Sequence, residues 1–487
     1  MGSRTSSSLA LILKAGAMLL AFVLVTSGAL AQDRRCDFPS ERRGPNDVDL
    51  QETEATGTPE TDAKSGTADA DADADADAET EPKAQATLFP IPDYRGDFFT
   101  RPAATGDWGG LRTDIAKKGF QFSLDINQYS AGVVRGGIDE EWENNGSTDF
   151  RVKFDSGQAG YWPGGFVEMH AESYWGTSTL AYSGSILPSN MDDAMSQPAA
   201  QGTYLSHVTL TQFLSERLAF TGGKIDTSTG DPNEYAHGVG TENFMNAAFN
   251  LNPVTYLTSP YSTLGGGFIY LLGENKQHMA AAMVYDGDGR IDTAGFDTID
   301  DDRTSFAATI RLETNLLGKK GHQFAGFIYG NGRYDPQTQD PRIFLPVTPN
   351  VDFESEDSTW CFFYNFDQQL ITNPDNPDEH WGLFGRFGAA DKDTSVIESF
   401  TSVGFGGTGL IPGREQDRFG VGYYFMQFNE DRIKQILRQD DEHGAEAFYK
   451  FAVTPWFELT ADVQFIGGAL VGADNAVITS LRGQISF

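Results

Sequence analysis

Residues 457–465 read FELTADVQF, so that Phe457, Leu459, Ala461, Val463 and Phe465 alternate with Glu458, Thr460, Asp462 and Gln464. A helix would spread those charges round its surface. A strand, whose successive side chains point to opposite faces, gathers them on one. The end of the chain repeats the pattern: Val477, Thr479, Leu481, Gly483, Ile485 and Phe487 alternate with Ile478, Ser480, Arg482, Gln484 and Ser486. Upstream, Phe120, Phe122, Leu124 and Ile126 alternate with Gln121, Ser123, Asp125 and Asn127. Phe150, Val152 and Phe154 do so with Arg151, Lys153 and Asp155, and Val167, Met169 and Ala171 with Glu168, His170 and Glu172. Phe306 to Glu313 continues the series.

Half-buried strands of a soluble sandwich also alternate. Three features favour a membrane barrel instead. The strands run for about ten residues, the length a tilted span needs. Aromatics recur near segment ends, as at Tyr174-Trp175, Tyr423-Tyr424 and Trp456-Phe457, which suits interfacial girdles. The chain ends on Phe487, in phase with the apolar face of its last strand, as closing strands of bacterial outer-membrane barrels do. Short turns such as Leu317 to Gly321 alternate with polar loops such as Asp286 to Arg303. At roughly two dozen residues per strand and loop, the expectation is an all-β, transmembrane antiparallel barrel of about 16 strands with an aqueous lumen.

The 487 residues include 35 Lys+Arg and 69 Asp+Glu, a formal net charge of −34. That balance argues against a nucleic-acid partner, which requires a basic footprint. The mean hydropathy of −0.37 excludes helical spans, not strands. The apolar run Ala15 to Val25, followed by Ala29 and Ala31 as a small-residue cleavage site, reads as a secretory signal over 1–31. Residues 32–104, with DADADADAD at 69–77, read as a disordered acidic linker; its carboxylates lack the fixed geometry of a calcium site. Residues 105–487 form the barrel domain, opened by a short helix from Leu111 to Lys118 that Gly119 ends. Cys36 and Cys361 are too few for a disulfide framework, and their pairing is left open.

The run Gly106-Asp107-Trp108-Gly109-Gly110-Leu111-Arg112 resembles the opening of the OprB family of carbohydrate-selective porins. The resemblance continues through Gly223-Lys224-Ile225-Asp226, Asn243-Phe244 and Gly265-Gly266-Gly267. It extends to Asp417-Arg418-Phe419-Gly420-Val421-Gly422-Tyr423-Tyr424, Glu446 to Lys450, Thr454-Pro455-Trp456 and Arg482-Gly483-Gln484. It implies a 16-stranded outer-membrane barrel that passes sugars by diffusion, with the helix at its periplasmic mouth. One departure is Gly467-Gly468 where the family would place a proline after Gln464; the turn that follows is expected to be periplasmic.

With the apolar face toward lipid, the alternate residues face water. The candidate sugar-contacting and pore-lining residues are Glu168, His170, Glu172, Tyr174, Trp175, Lys224, Asp226, Arg386, Asp462 and Arg482. Glu168, Glu172, Lys224, Asp226 and Arg386 are placed near the constriction, with Tyr174 or Trp175 as stacking platform. Carboxylates, cations and aromatic faces suit weak, multi-site contact with hydroxyl-rich solutes that must also leave. For each, a solvated lumen residue without solute contact is the bland alternative. Trp108 and Arg112 read as structural, Trp108 anchoring the mouth helix and Arg112 pairing with a wall carboxylate. Asp286 to Asp292 lacks the full calcium-loop pattern.

No G-x-S-x-G or H-E-x-x-H occurs, so no enzyme, cofactor or metal is expected. The expected partners are small neutral sugars and outer-membrane lipid and lipopolysaccharide, with a homotrimer left open. The nearest rival is a general or cation-preferring porin on the same barrel. An envelope tether and a barrel enzyme are the rivals from other classes.

Overall fold

The computed structural model describes residues 88–195, 201–299, 301–337, 355–429, 440–470 and 472–487. The signal, most of the acidic linker and Cys36 lie outside them. Sixteen strands follow one another: β1 (Phe120–Gly137), β2 (Trp142–Asp155), β3 (Gly165–Gly176), β4 (Gly202–Phe213), β5 (Leu218–Asp226), β6 (Ser262–Leu272), β7 (His278–Asp286) and β8 (Thr304–Leu316). Then come β9 (Lys319–Tyr334), β10 (Glu356–Thr372), β11 (His380–Ala390), β12 (Ile397–Thr408), β13 (Arg418–Phe428), β14 (Glu442–Thr454), β15 (Phe457–Gly467) and β16 (Asp474–Ser486). Each pairs with the next, and β1 pairs with β16, so the sheet closes on itself. Closure removes every sheet edge, which hydrocarbon does not tolerate.

The alternation explains the wall. Leu459, Val463, Phe465 and Leu481 stand out from it, as do Phe150, Phe268, Phe327, Trp360, Phe425 and Phe451, each more than a third exposed. So continuous an apolar belt is costly in water and natural in lipid. The intervening residues, Asp462, Gln464, Arg482, Asp149 and Glu446 among them, point inward.

Connections at one end are short, down to Leu317-Gly318 between β8 and β9 and Pro455-Trp456 between β14 and β15. Those at the other end include 177–201, 227–261 and 287–303. The short-turn end is the periplasmic one. The connection 468–473 lies at the opposite, outer end, so the turn after Gly467-Gly468 is not periplasmic: β15 starts at the periplasmic turn 455–456 and has crossed the wall by Gly467.

A 3-10 turn, Trp108–Gly110, runs into the helix α1 (Leu111–Ala116), and Gly119 ends it at φ 85°. Arg112 fixes α1 to the closing seam: its Nη2 donates to the main-chain oxygens of Phe122 (2.8 Å) and Phe487 (2.9 Å). Its guanidinium also lies 4.1 Å from the Tyr94 ring centre. The expected side-chain carboxylate of the wall is thus replaced by main-chain oxygens and an aromatic face. Phe487 in turn donates its N–H to Leu124 O at 2.8 Å. Order extends upstream of the expected linker boundary at 104: Phe89 and Tyr94 are buried.

Candidate functional site: a loop folded into the lumen

The connection 227–261 turns inward rather than outward. Its sequence FMNAAFN, 244–250, is apolar and amide-rich, and Phe244, Ala248 and Phe249 are fully buried inside the barrel. The wall makes room for them. A Cβ on Gly420 would meet Phe244 at 2.7 Å, and one on Gly422 would meet Phe249 at 2.5 Å. The glycines of the Gly420-Val421-Gly422 run therefore form a shelf on the inner face of β13. The Phe244 ring packs on Phe249, Phe448 and Phe384 at centroid distances of 4.6, 4.8 and 5.3 Å. Burying each such ring is worth about 1.5–3 kcal/mol.

Polar anchors hold the loop's backbone, as buried carbonyls and N–H groups require. Arg386 of β11, fully buried, pairs its Nε with Asp231 at 2.7 Å. It also donates to Phe249 O and Ala236 O, each at 2.8 Å, and to Asp231 O at 3.3 Å. Arg482 of β16 donates to Gly240 O, to Glu242 O (3.0 Å) and to Asn243 O (3.2 Å). Glu446 of β14 accepts from the N–H groups of Met245 (2.6 Å) and Asn246 (3.0 Å). Gln464 donates to Asp462 Oδ1 at 2.9 Å and to Ser189 O at 2.7 Å.

The second long loop, 177–201, joins it. Met191 donates its N–H to Met245 O at 2.7 Å, and Ala247 donates to Pro188 O at 3.0 Å. Asp192 accepts from Tyr129 Oη at 2.7 Å, and Asp193 from Ser178 Oγ (2.8 Å) and Asn145 Nδ2 (2.9 Å). Burial, with the Asp149 charge adding to it, pushes the Asp192 carboxyl up to about 8; burial pushes Asp193 up to about 7. On the other loop, burial favours the neutral form of Glu242. Its hydrogen bond to His237 and the nearby Arg418 outweigh that and hold it down to about 2.

What the loops leave open is a cavity of about 670 Å³ between the β1–β4 wall, the loop turn 234–243 and the lower parts of β13–β16. Glu168, His170, Glu172 and Asp226 line it, with Asp125, Asp149, Arg151, Lys153 and His207 beside them. Tyr235, Glu242, Arg418, Lys450 and Glu458 face them from the other side. His170 Nε2 lies 2.8 Å from Asp149 Oδ1. Asp149, His170 and Glu172 bring three ligand-type atoms within 4.8 Å of one another. Glu172 Oε1 accepts from Tyr261 at 2.9 Å and from Tyr174 at 3.0 Å.

Six expected residues lie elsewhere. Arg386, Arg482 and Asp462 point inward but are covered by the loops, so they anchor the constriction and do not line it. Tyr174 points inward too, yet its ring is buried and its hydroxyl is spent on Glu172. Trp175, its neighbour, takes the opposite face, where its ring lies over Gly146 and its Nε1 is 3.4 Å from Gln128. Lys224 pairs across the ladder with Val208 and Leu264, outer-face residues. Its ammonium donates to Ile291 O (3.0 Å) and Thr293 O of the outer loop 287–303. In that loop the carboxylates of the calcium-like run are occupied: Asp288 pairs with Arg303 and Asp292 with Arg290.

The family model of the carbohydrate-selective porin, OprB family, matches residues 139–487. The chain belongs to the OprB family. Porin B of Pseudomonas aeruginosa is 21% identical over 434 residues, covering 78% of this chain and 90% of that protein. The high-pH structure of Pseudomonas putida OprB superposes with a TM-score of 0.70 at 20% identity, covering 80% of this chain and 100% of that one. Its low-pH structure gives 0.51 at 16% identity, with 80% and 99% covered. This OprB-family barrel is a porin of the bacterial outer membrane.

Proposed function

We propose that the barrel passes small neutral carbohydrates, mono- and small oligosaccharides, by passive diffusion. The observation that carries this reading is the mixed lining of the open cavity. Carboxylates and cations face each other across it, the part-exposed Glu168 and Arg151 on the wall and Arg418 and Glu458 opposite. Such groups exchange hydrogen bonds with hydroxyls of a passing sugar without holding it, as conduction requires. The outward apolar belt sits in lipid, with lipopolysaccharide around the long loops. The test is swelling of liposomes carrying the full protein in isosmotic sugar. Swelling that slows from mono- to tri- to hexasaccharide supports the proposal; no swelling above protein-free liposomes removes it.

A cation preference is the second reading, and one observation favours it. Ten acidic side chains besides the raised Asp192, against five Lys and Arg, line the cavity, which focuses a negative potential in a low-dielectric wall. Reversal potentials in a salt gradient separate the two: strong cation selectivity with sugar-insensitive current supports the second reading alone.

A further inference from the structure

We propose that residues 88–103 form a second filter of the pore, a strap that narrows its periplasmic exit independently of the loop 227–261. The proposal rests on the porin reading. Phe89 marks one end. Its carbonyl accepts from Gln121 Nε2 at 2.8 Å, its ring meets Phe166 edge-on at 5.5 Å, and Lys153 Nζ lies 5.4 Å from the ring centre. These partners belong to the inner faces of β1, β2 and β3.

The other end is fastened at the β14–β15 turn. Trp456 Nε1 donates to Phe98 O at 2.7 Å, with the two rings 4.9 Å apart. Ala104 then donates to Ser486 O at 2.8 Å. Between the ends, Pro90 and Pro92 fix φ and give a stiff, extended chain.

Geometry says where the middle goes. Sixteen strands spaced about 4.8 Å and tilted about 40° give a barrel roughly 32 Å across at the backbone. The two fastenings are about a quarter turn apart, a chord of roughly 20 Å, whereas residues 89–98 reach up to about 30 Å when extended. A bend at Gly96 takes up part of the excess, and the rest lets the strap stand off the wall. Pro92, Tyr94, Pro102 and Ala103 accordingly line the lumen cavity, and the buried Tyr94 ring is held against Arg112.

The test is thiol labelling of the full-length protein in a planar bilayer. Pro92→Cys is made in a Cys36→Ala background, Cys361 being buried, and a bulky methanethiosulfonate is added from the periplasmic side. A stepwise fall in single-channel conductance is expected. A labelled channel, verified by mass, with unchanged conductance would overturn the filter. Neutral polymers give a second readout that needs no thiol label. In the wild type, polymer added from the periplasmic side should be excluded at a smaller size than from the outer side. The Phe89→Ala, Trp456→Ala double variant should lose that asymmetry. Symmetric exclusion in the wild type also overturns the filter and leaves the porin reading intact; a wild type that does not conduct at all removes the porin reading instead.

Discussion

Replacing Arg386 by Met should unlatch the loop 227–261 while the barrel wall stays intact. Met keeps the apolar stem and removes the guanidinium that binds Asp231 and donates to Phe249 O and Ala236 O. The Asp231 carboxylate and the two carbonyls then lose a charged donor in a site where Arg386 is fully buried. Breaking a buried pair from one side costs about 3–5 kcal/mol. At room temperature that lowers the docked-to-undocked ratio of the loop by roughly 150- to 5,000-fold. Arg482 and Glu446 hold the following segment, so opening should begin between Asp231 and His237. Two assays read it. Single-channel traces should gain flicker and larger open levels. Because the loop 227–261 contains no Lys or Arg but has Glu234 and Glu242, a glutamate-specific protease added from outside should cut there in the variant and spare the wild type. A folded variant with wild-type noise and an uncut loop would refute the assignment of Arg386 as the latch.

The remaining predictions concern pH and the two faces of the wall. Glu242, held down to about 2 by His237 and Arg418 against its burial, stabilises the docked loop fully above its ordinary value near 4.5, and that support drains as pH falls toward 2. Channel noise should therefore rise as pH falls toward 2, and Glu242→Gln should abolish that rise; an unchanged pH profile would count against the pair. Asp192 is the opposite case. With its carboxyl pushed up to about 8, it destabilises the fold progressively as pH rises from about 3.8 through 8. Asp192→Asn should flatten the unfolding temperature, followed by heat-modified gel mobility, between pH 5 and 9. Glu168→Gln, at the cavity wall, should reduce cation selectivity in a salt gradient, whereas Trp175→Leu on the outer face should leave it as in the wild type.

Period-two alternation made the wall legible because one-residue parity decides which face meets lipid. It held along β1, β2, β3, β8, β15 and β16, and strand number followed from length. Parity was less sufficient for the site. Arg386, Asp462 and Arg482 do point inward, as their phase requires, but phase says nothing of what lies on top of them. That depends on 227–261 folding in, a tertiary fact carried by the fit of Phe244 and Phe249 onto Gly420 and Gly422. The signal was present as an apolar, amide-rich stretch, 243–250, inside a long connection, where a solvated loop would be charged. Lys224 departs from the expected lumen position that Asp226 keeps. Gly223, at φ 142°, sits where the inner wall meets Thr209, so its successor turns outward under the loop 287–303. The strap at 88–103 was hidden by the acidic composition of its neighbours; Phe89-Pro90-Ile91-Pro92 is apolar and conformationally restricted, unlike the repeat before it.

The central claim, that hydroxyl-rich solutes pass through and briefly contact the cavity below the loop, is tested most directly by single-channel current through the refolded full-length barrel during titration with glucose and longer maltose-series sugars. The account predicts a saturable, dose-dependent reduction of current that weakens in Glu168→Gln and is unaffected in Trp175→Leu. Open channels whose current is indifferent to every sugar, and whose liposomes do not swell in them, would contradict it.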